Sequence, residues 1–124
     1  MDVSSIYEVP LLMQKEGLDK VVLRKLGIID NTEVKLEQWC NFLEGLQNPK
    51  KEITIGLVGK YVELQDAYKS ISEAIIHAGV TNSCKVKVNW INAEEINNKN
   101  VAEKLALLKG VLVAPGFGDR GMEG

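Results

Sequence analysis

Ile53-Thr54-Ile55-Gly56-Leu57-Val58 is a short apolar run rich in β-branched residues, and it ends at Gly59-Lys60-Tyr61. A run of this length and content reads as a strand buried on both faces. Downstream, residues from about Gln65 to Ala78 read as a helix. Ala67, Ile71, Ala74, Ile75 and Ala78 share one face, and Gly79 is the expected stop. Lys85 to Ile91 alternates, with Val86, Val88 and Trp90 on one side, as in a half-buried strand. Ala93 to Lys109 is helical in its later half, where Val101, Leu105 and Leu108 are spaced for one face. Val111-Leu112-Val113-Ala114 is a third strand, broken by Pro115-Gly116.

Strand, helix, strand, helix, strand is the pattern of an α/β fold with a parallel sheet. Both crossovers are expected to be right-handed. In a doubly wound sheet the first strand is central, the second lies on one side and the third on the other. Ligands bind at such a switch point, beyond the carboxyl ends of the strands. Two glycine-containing turns leave those ends: Gly59-Lys60-Tyr61 and Gly116-Phe117-Gly118-Asp119-Arg120-Gly121. The topology therefore predicts that two distant segments meet at one crevice.

Upstream, the polar stretch Asn48-Pro49-Lys50-Lys51-Glu52 divides the chain, giving residues 1–48 and 49–124. The first part reads as helical. Pro10 opens a short helix stopped by Gly17, Asp19 caps a second stopped by Gly27, and a third spans about Glu33 to Gln47. Leu36, Trp39, Leu43 and Leu46 form an apolar stripe on that third helix, and Trp39 and Cys40 read as packing residues.

Composition narrows the function. The 124 residues carry a net charge of −2, 45% hydrophobic and 26% charged residues, which is an ordinary globular balance. Near-neutral charge argues against broad nucleic-acid binding, and no apolar run approaches the roughly 20 residues of a membrane span. No secretion signal is visible at Met1-Asp2-Val3-Ser4-Ser5. Cys40 and Cys84 are far apart and form no CxxC pair, which suits a reducing cytoplasm. One histidine, His77, excludes a multi-histidine metal site within the chain.

The glycine turns carry the candidate chemistry. Gly116 to Gly121 matches GxGxxG but follows the third strand, whereas a dinucleotide site needs it after the first. Gly56-Leu57-Val58-Gly59-Lys60 lacks the glycine spacing and the Ser or Thr of a phosphate loop. The amides of Gly116 and Phe117 are candidate oxyanion donors, while Pro115 has none to give. Arg120 and Glu123, three apart, are spaced to pair. Neither cysteine sits at a strand-to-helix elbow, so no catalytic set is complete.

Four blocks together resemble CTP synthase: Asp2-Val3-Ser4-Ser5-Ile6-Tyr7-Glu8-Val9-Pro10, Ile55-Gly56-Leu57-Val58-Gly59-Lys60-Tyr61, Asp66-Ala67-Tyr68-Lys69-Ser70, and Leu112 through Gly124. The resemblance implies an enzyme with an ATP-dependent amidoligase domain acting on UTP and a class I glutaminase domain supplying ammonia. Residues 1–48 would be the tail of the first domain with a linker helix, and 49–124 the start of the second. It implies glutamine contact at Gly116, ATP contact at Asp2 and Val3, and a GTP effector near Lys69, Arg120, Gly121 and Glu123. The family's usual Pro-Gly-Gly-Phe-Gly appears here as Ala114-Pro115-Gly116-Phe117-Gly118. Magnesium and ATP serve the parent enzyme, which is expected to be a cytoplasmic homotetramer. The nucleophilic cysteine with its His and Glu partners, the UTP site and the magnesium ligands are expected outside these residues. The chain alone is then inactive; the alternative is a non-catalytic module that binds a nucleotide or a partner.

Overall fold

The computed structural model of the protein describes residues 3–29, 32–116 and 118–122. The chain divides into two compact units, Met1–Gln47 and Asn48–Gly124. Among the described residues no helix is long and apolar enough to cross a membrane.

The first unit holds three helices: α1 (Val9–Lys15), α2 (Leu18–Leu26) and α3 (Glu37–Gln47). Pro10 stands in the first turn of α1, where a missing amide proton does no harm. Gly27 ends α2 in the left-handed conformation, at φ +67°. Asp19 does not cap that helix. Gly17 holds the cap position, and Asp19 sits in the first turn, where its carboxylate faces the positive end of the helix dipole. Helix α3 starts later than the apolar pattern predicts, because its first i to i−4 bond runs from the Cys40 amide to the Leu36 carbonyl. Leu43 is buried as expected, but Cys40 is exposed. An aromatic cluster does the packing instead. Tyr7, Trp39 and Phe42 have ring centroids 5.1 to 6.0 Å apart, and the Trp39 indole donates to the Tyr7 carbonyl at 2.8 Å.

The second unit is a parallel sheet in the order β2-β1-β3, built from β1 (Lys51–Gly59), β2 (Cys84–Asn92) and β3 (Val111–Val113). Nine residues of β1 pair in register with β2, from Lys51 with Cys84 to Gly59 with Asn92. Gly56, Leu57 and Val58 pair with Val111, Leu112 and Val113 on the other side. The first strand is thus central, as the pattern predicts. Alternate residues of β1 serve opposite faces. Gly56 and Val58 look toward Leu105 and Leu108, which belong to or follow α5 (Val101–Leu105). Leu57, with no exposed surface, and Gly59 look toward the face that carries Tyr68 and α4 (Lys69–Thr81). On β2 the lower residues Lys85, Lys87 and Asn89 stay in water while Val86, Val88 and Trp90 are half-buried. Charges of this kind discourage pairing along an edge strand. Lys87 also bonds Glu52 at 2.7 Å, and that hydrogen bond holds the Glu52 carboxyl below its ordinary value.

Two expectations about α4 need correction. Residues Gln65–Tyr68 form a 3-10 turn, and the α-helix proper runs Lys69–Thr81, through Gly79. The inward face is buried Gly79 with half-buried Ile71, Ser72, Ile75 and Ile76, whereas Ala67, Ala74 and Ala78 are exposed. Gly79 is there because the helix crosses β2 closely: an added Cβ would lie 2.6 Å from the Cys84 carbonyl oxygen. The left-handed position that ends the helix falls to Ser83, at φ +52°.

These two positions give opposite predictions. Helix propensity alone would make Gly79→Ala stabilising by about 1 kcal/mol. Contact with a backbone carbonyl that cannot swing aside reverses the sign, and a loss of about 1–3 kcal/mol is expected from overpacking. Ser83→Gly relieves a left-handed conformation worth about 1 kcal/mol and raises stability by up to that amount. Urea unfolding of both variants beside the wild type reads the two signs.

Candidate functional site

The carboxyl edge of the sheet brings together the two glycine turns. After β1 the chain passes through Lys60 and Tyr61. After β3 it passes through Pro115 and Gly116 to the turn at Gly118–Gly121, where both glycines have φ +74°. The Lys60 ammonium donates to the Gly118 carbonyl at 2.6 Å. Its methylenes lie beside Gly116, where an added Cβ would be 3.3 Å from Cδ and Cε. The Arg120 guanidinium donates to the Lys60 carbonyl at 3.4 Å and sits over the Tyr61 ring, 5.4 Å from its centroid. The predicted meeting of two distant segments is therefore present in the structure.

Arg120 pairs with a residue that sequence spacing did not single out. Its Nε lies 2.9 Å from the Glu94 carboxylate, in the 3-10 turn Ala93–Glu95 that follows β2. Three strand ends thus contribute to one cluster. Gly121 packs on the same turn, since an added Cβ would lie 3.1 Å from the Ala93 side chain. Asn92 caps the turn by accepting from the Glu94 amide at 3.0 Å.

Tyr68 is a second residue whose role the sequence pattern does not show. It is 4% exposed, and its hydroxyl accepts the Tyr61 amide at 3.1 Å. An added Cβ on Gly59 would strike the Tyr68 hydroxyl and lie 2.8 Å from Cζ. Gly59 is therefore what lets the ring sit under the turn and fix where β1 ends. Tyr68 also lies beside Trp90, with centroids 6.1 Å apart.

The remaining sequence-predicted residues are dispersed or outside the described set. Lys69 opens α4, where its ammonium donates to the Glu73 carboxylate at 2.7 Å, and that hydrogen bond raises the ammonium pKa above the ordinary lysine value. Its surroundings are the α4–β2 hollow with Ser72, Ile76 and Trp90. Val3 is half-buried in the first unit. Asp2, Phe117 and Glu123 lie outside the described residues, so the spacing of Arg120 and Glu123 has no structural counterpart to compare. His77 is exposed on α4. Among the described residues no group of three His, Cys, Asp or Glu side chains is placed to hold a metal ion.

Two comparisons with known proteins bear on the family. Residues 63–124 match the family model for glutamine amidotransferase class-I. Over 124 residues the chain is 56% identical to the CTP synthase of Cytophaga hutchinsonii and 58% identical to that of Flavobacterium johnsoniae, covering all of this chain and 23% of each relative. It is 50% identical to the CTP synthase of Methanocaldococcus jannaschii, over 99% of this chain and 24% of that relative. The chain thus spans about a quarter of the length of the curated relatives it matches. It belongs to the class-I glutamine amidotransferase family, and along its length it is similar to CTP synthases.

Proposed function

We propose that this chain forms the junction of a CTP synthase, with residues 1–48 ending the synthetase domain and its linker helix and residues 49–124 beginning the glutaminase domain. The whole protein makes CTP from UTP, using ATP to activate UTP and ammonia released from glutamine. The observation that carries this reading is the cluster of Lys60, Tyr61, Glu94, Gly116 and Arg120 where three parallel strands end. Parallel sheets present ligand sites at that edge. Hydrolysis of an amide puts negative charge on the carbonyl oxygen, and backbone N–H groups in a glycine turn are suited to receive it. Gly116 is the residue assigned to glutamine contact, with the Phe117 amide as the second donor.

The nucleophile comes from elsewhere in the whole protein. Cys84 opens β2 at the amino edge, and Asn92 closes it at the carboxyl edge. Eight strand steps separate them by roughly 26 Å, so the buried Cys84 thiol is far from the site. Cys40 lies within α3 and not at an elbow. The chain by itself is therefore inactive. Arg120, Gly121, Lys69 and Glu123 are assigned to a GTP effector, whose phosphates suit a guanidinium and an ammonium. Asp2 and Val3 are assigned to ATP. ATP activates UTP when bound, and its magnesium is held by residues outside this stretch. The assembled protein is a cytoplasmic homotetramer.

Gly116→Ala in the whole protein tests the assignment. Among the described residues the atoms nearest the new methyl are those of the flexible Lys60 chain, so folding is retained. Displacement of the turn lowers kcat/KM for glutamine on the order of 10- to 100-fold. CTP formation from added ammonia is spared. Equal loss with both nitrogen sources would place Gly116 outside the glutamine site. The 124-residue chain alone is expected to release no ammonia from glutamine. Tight calorimetric binding of GTP to that chain would favour a binding module instead.

A further inference from the structure

We propose that Glu94 is a positioning residue, which works through Arg120 to hold the turn after β3 in its site-forming shape. This rests on the reading of Gly116, which leads into that turn, as the glutamine contact.

The turn from Gly118 to Gly121 has little to hold it from within. Among the described residues it has one backbone hydrogen bond of its own, from the Met122 amide to the Asp119 carbonyl at 3.2 Å, and its two glycines stand at φ +74°. Glycine gives up the most backbone freedom on ordering, so such a turn needs outside contacts to remain in one conformation. Arg120 supplies them from one group: Nε to Glu94, a terminal nitrogen to the Lys60 carbonyl, and the guanidinium carbon 5.4 Å from the centre of the Tyr61 ring. A guanidinium can satisfy an in-plane partner and a stacked ring together, which an ammonium cannot do.

Glu94 orients this group. The Arg120 and Glu94 side chains are 57% and 38% exposed, so the pair is worth only a modest amount by itself. Its leverage comes from where Glu94 stands. Glu94 stands two residues beyond the end of β2 and its amide is capped by Asn92, while Ala93 beside it is 6% exposed. A carboxylate on a capped turn anchored by buried Ala93 is a fixed post, whereas Arg120 is on the segment that must be placed. The Ala93 contact with Gly121 sets the same two segments side by side. Deleting the carboxylate charge leaves the guanidinium its weaker partners and frees the turn in part.

Hydrogen–deuterium exchange on the intact protein, followed in peptides spanning residues 118–122, tests the clasp without reference to activity. Glu94→Gln is expected to speed exchange there about 2- to 5-fold, the range of an exposed ion pair. Arg120→Gln, which removes all three contacts, speeds it more, and Glu94→Gln adds nothing further in that background. High salt speeds the wild type toward the Glu94→Gln rate and leaves the variant unchanged. Wild-type exchange in Glu94→Gln, or full additivity with Arg120→Gln, overturns the proposal. In glutamine-dependent turnover, Glu94→Gln raises KM for glutamine by a similar factor through loss of preorganisation, with the change in kcat smaller. Glu94→Asp, which keeps the charge, recovers part of the loss. Altered exchange with an unaltered KM also overturns the positioning role. Absence of any glutamine-dependent turnover in the wild type overturns the functional reading instead, and the exchange result still decides the clasp.

Discussion

Nine consecutive residues of β1 are locked in register to β2, and the rest of the second unit follows from that pairing. The register sets which β1 side chains look toward α4 and which toward α5. Leu57 and Trp90 are paired and share the α4 side, while Val58 and Ile91 are paired and share the α5 side. A slip of one residue would exchange these faces and place Gly56 where Leu57 is now fully buried. It would also move Gly59 away from Tyr68, the contact that fixes where the strand ends. Register therefore decides the position of the site as well as the core.

The last four residues of β1, Gly56, Leu57, Val58 and Gly59, put one glycine and one bulky side chain on each face for a reason. Each glycine leaves room for a side chain from a covering layer: Leu108 over Gly56 and Tyr68 over Gly59. The helices can then lie close on both faces of a strand that has partners on both edges. Gly79 repeats the device from the helix side, against the Cys84 carbonyl. Tight layers of this kind transmit placement, because a packed interior does not deform gradually. The turns at the carboxyl edge inherit their positions from it.

Much of this was legible in the sequence. Three apolar runs of strand length, separated by helical spacing and closed by glycine, led to the parallel sheet, to its β2-β1-β3 order and to the meeting of the two turns. These are properties of local pattern joined to general topology rules. What escaped depended on contacts between distant residues. Gly79 reads as a stop because a helix glycine near a polar stretch usually is one; only the approach of Cys84 makes it an interior residue. Displacing that glycine from the packed face also shifted the predicted stripe toward Ala74 and Ala78. The role of Glu94 is hidden from the sequence for a similar reason. Arg120 has a carboxylate three residues along the chain, and local spacing favoured it, whereas the partner seen lies 26 positions earlier, after another strand.

The site is thus built in two grades of rigidity. Tyr68, Gly59 and the start of the Lys60–Tyr61 turn are fixed by burial, where small displacements meet closely packed neighbours. Gly116 and the turn beyond it are fixed by polar contacts in partial contact with water: Lys60 to Gly118, Arg120 to Lys60 and Glu94, and Arg120 over Tyr61. Burial is indifferent to salt, while exposed ionic contacts weaken with it and can be exchanged for a ligand's charges. An anionic ligand arriving at this edge would compete with Glu94 for the same guanidinium. The firm half of the site then serves as the reference, and the half carrying Gly116 is the one whose conformation charge can bias.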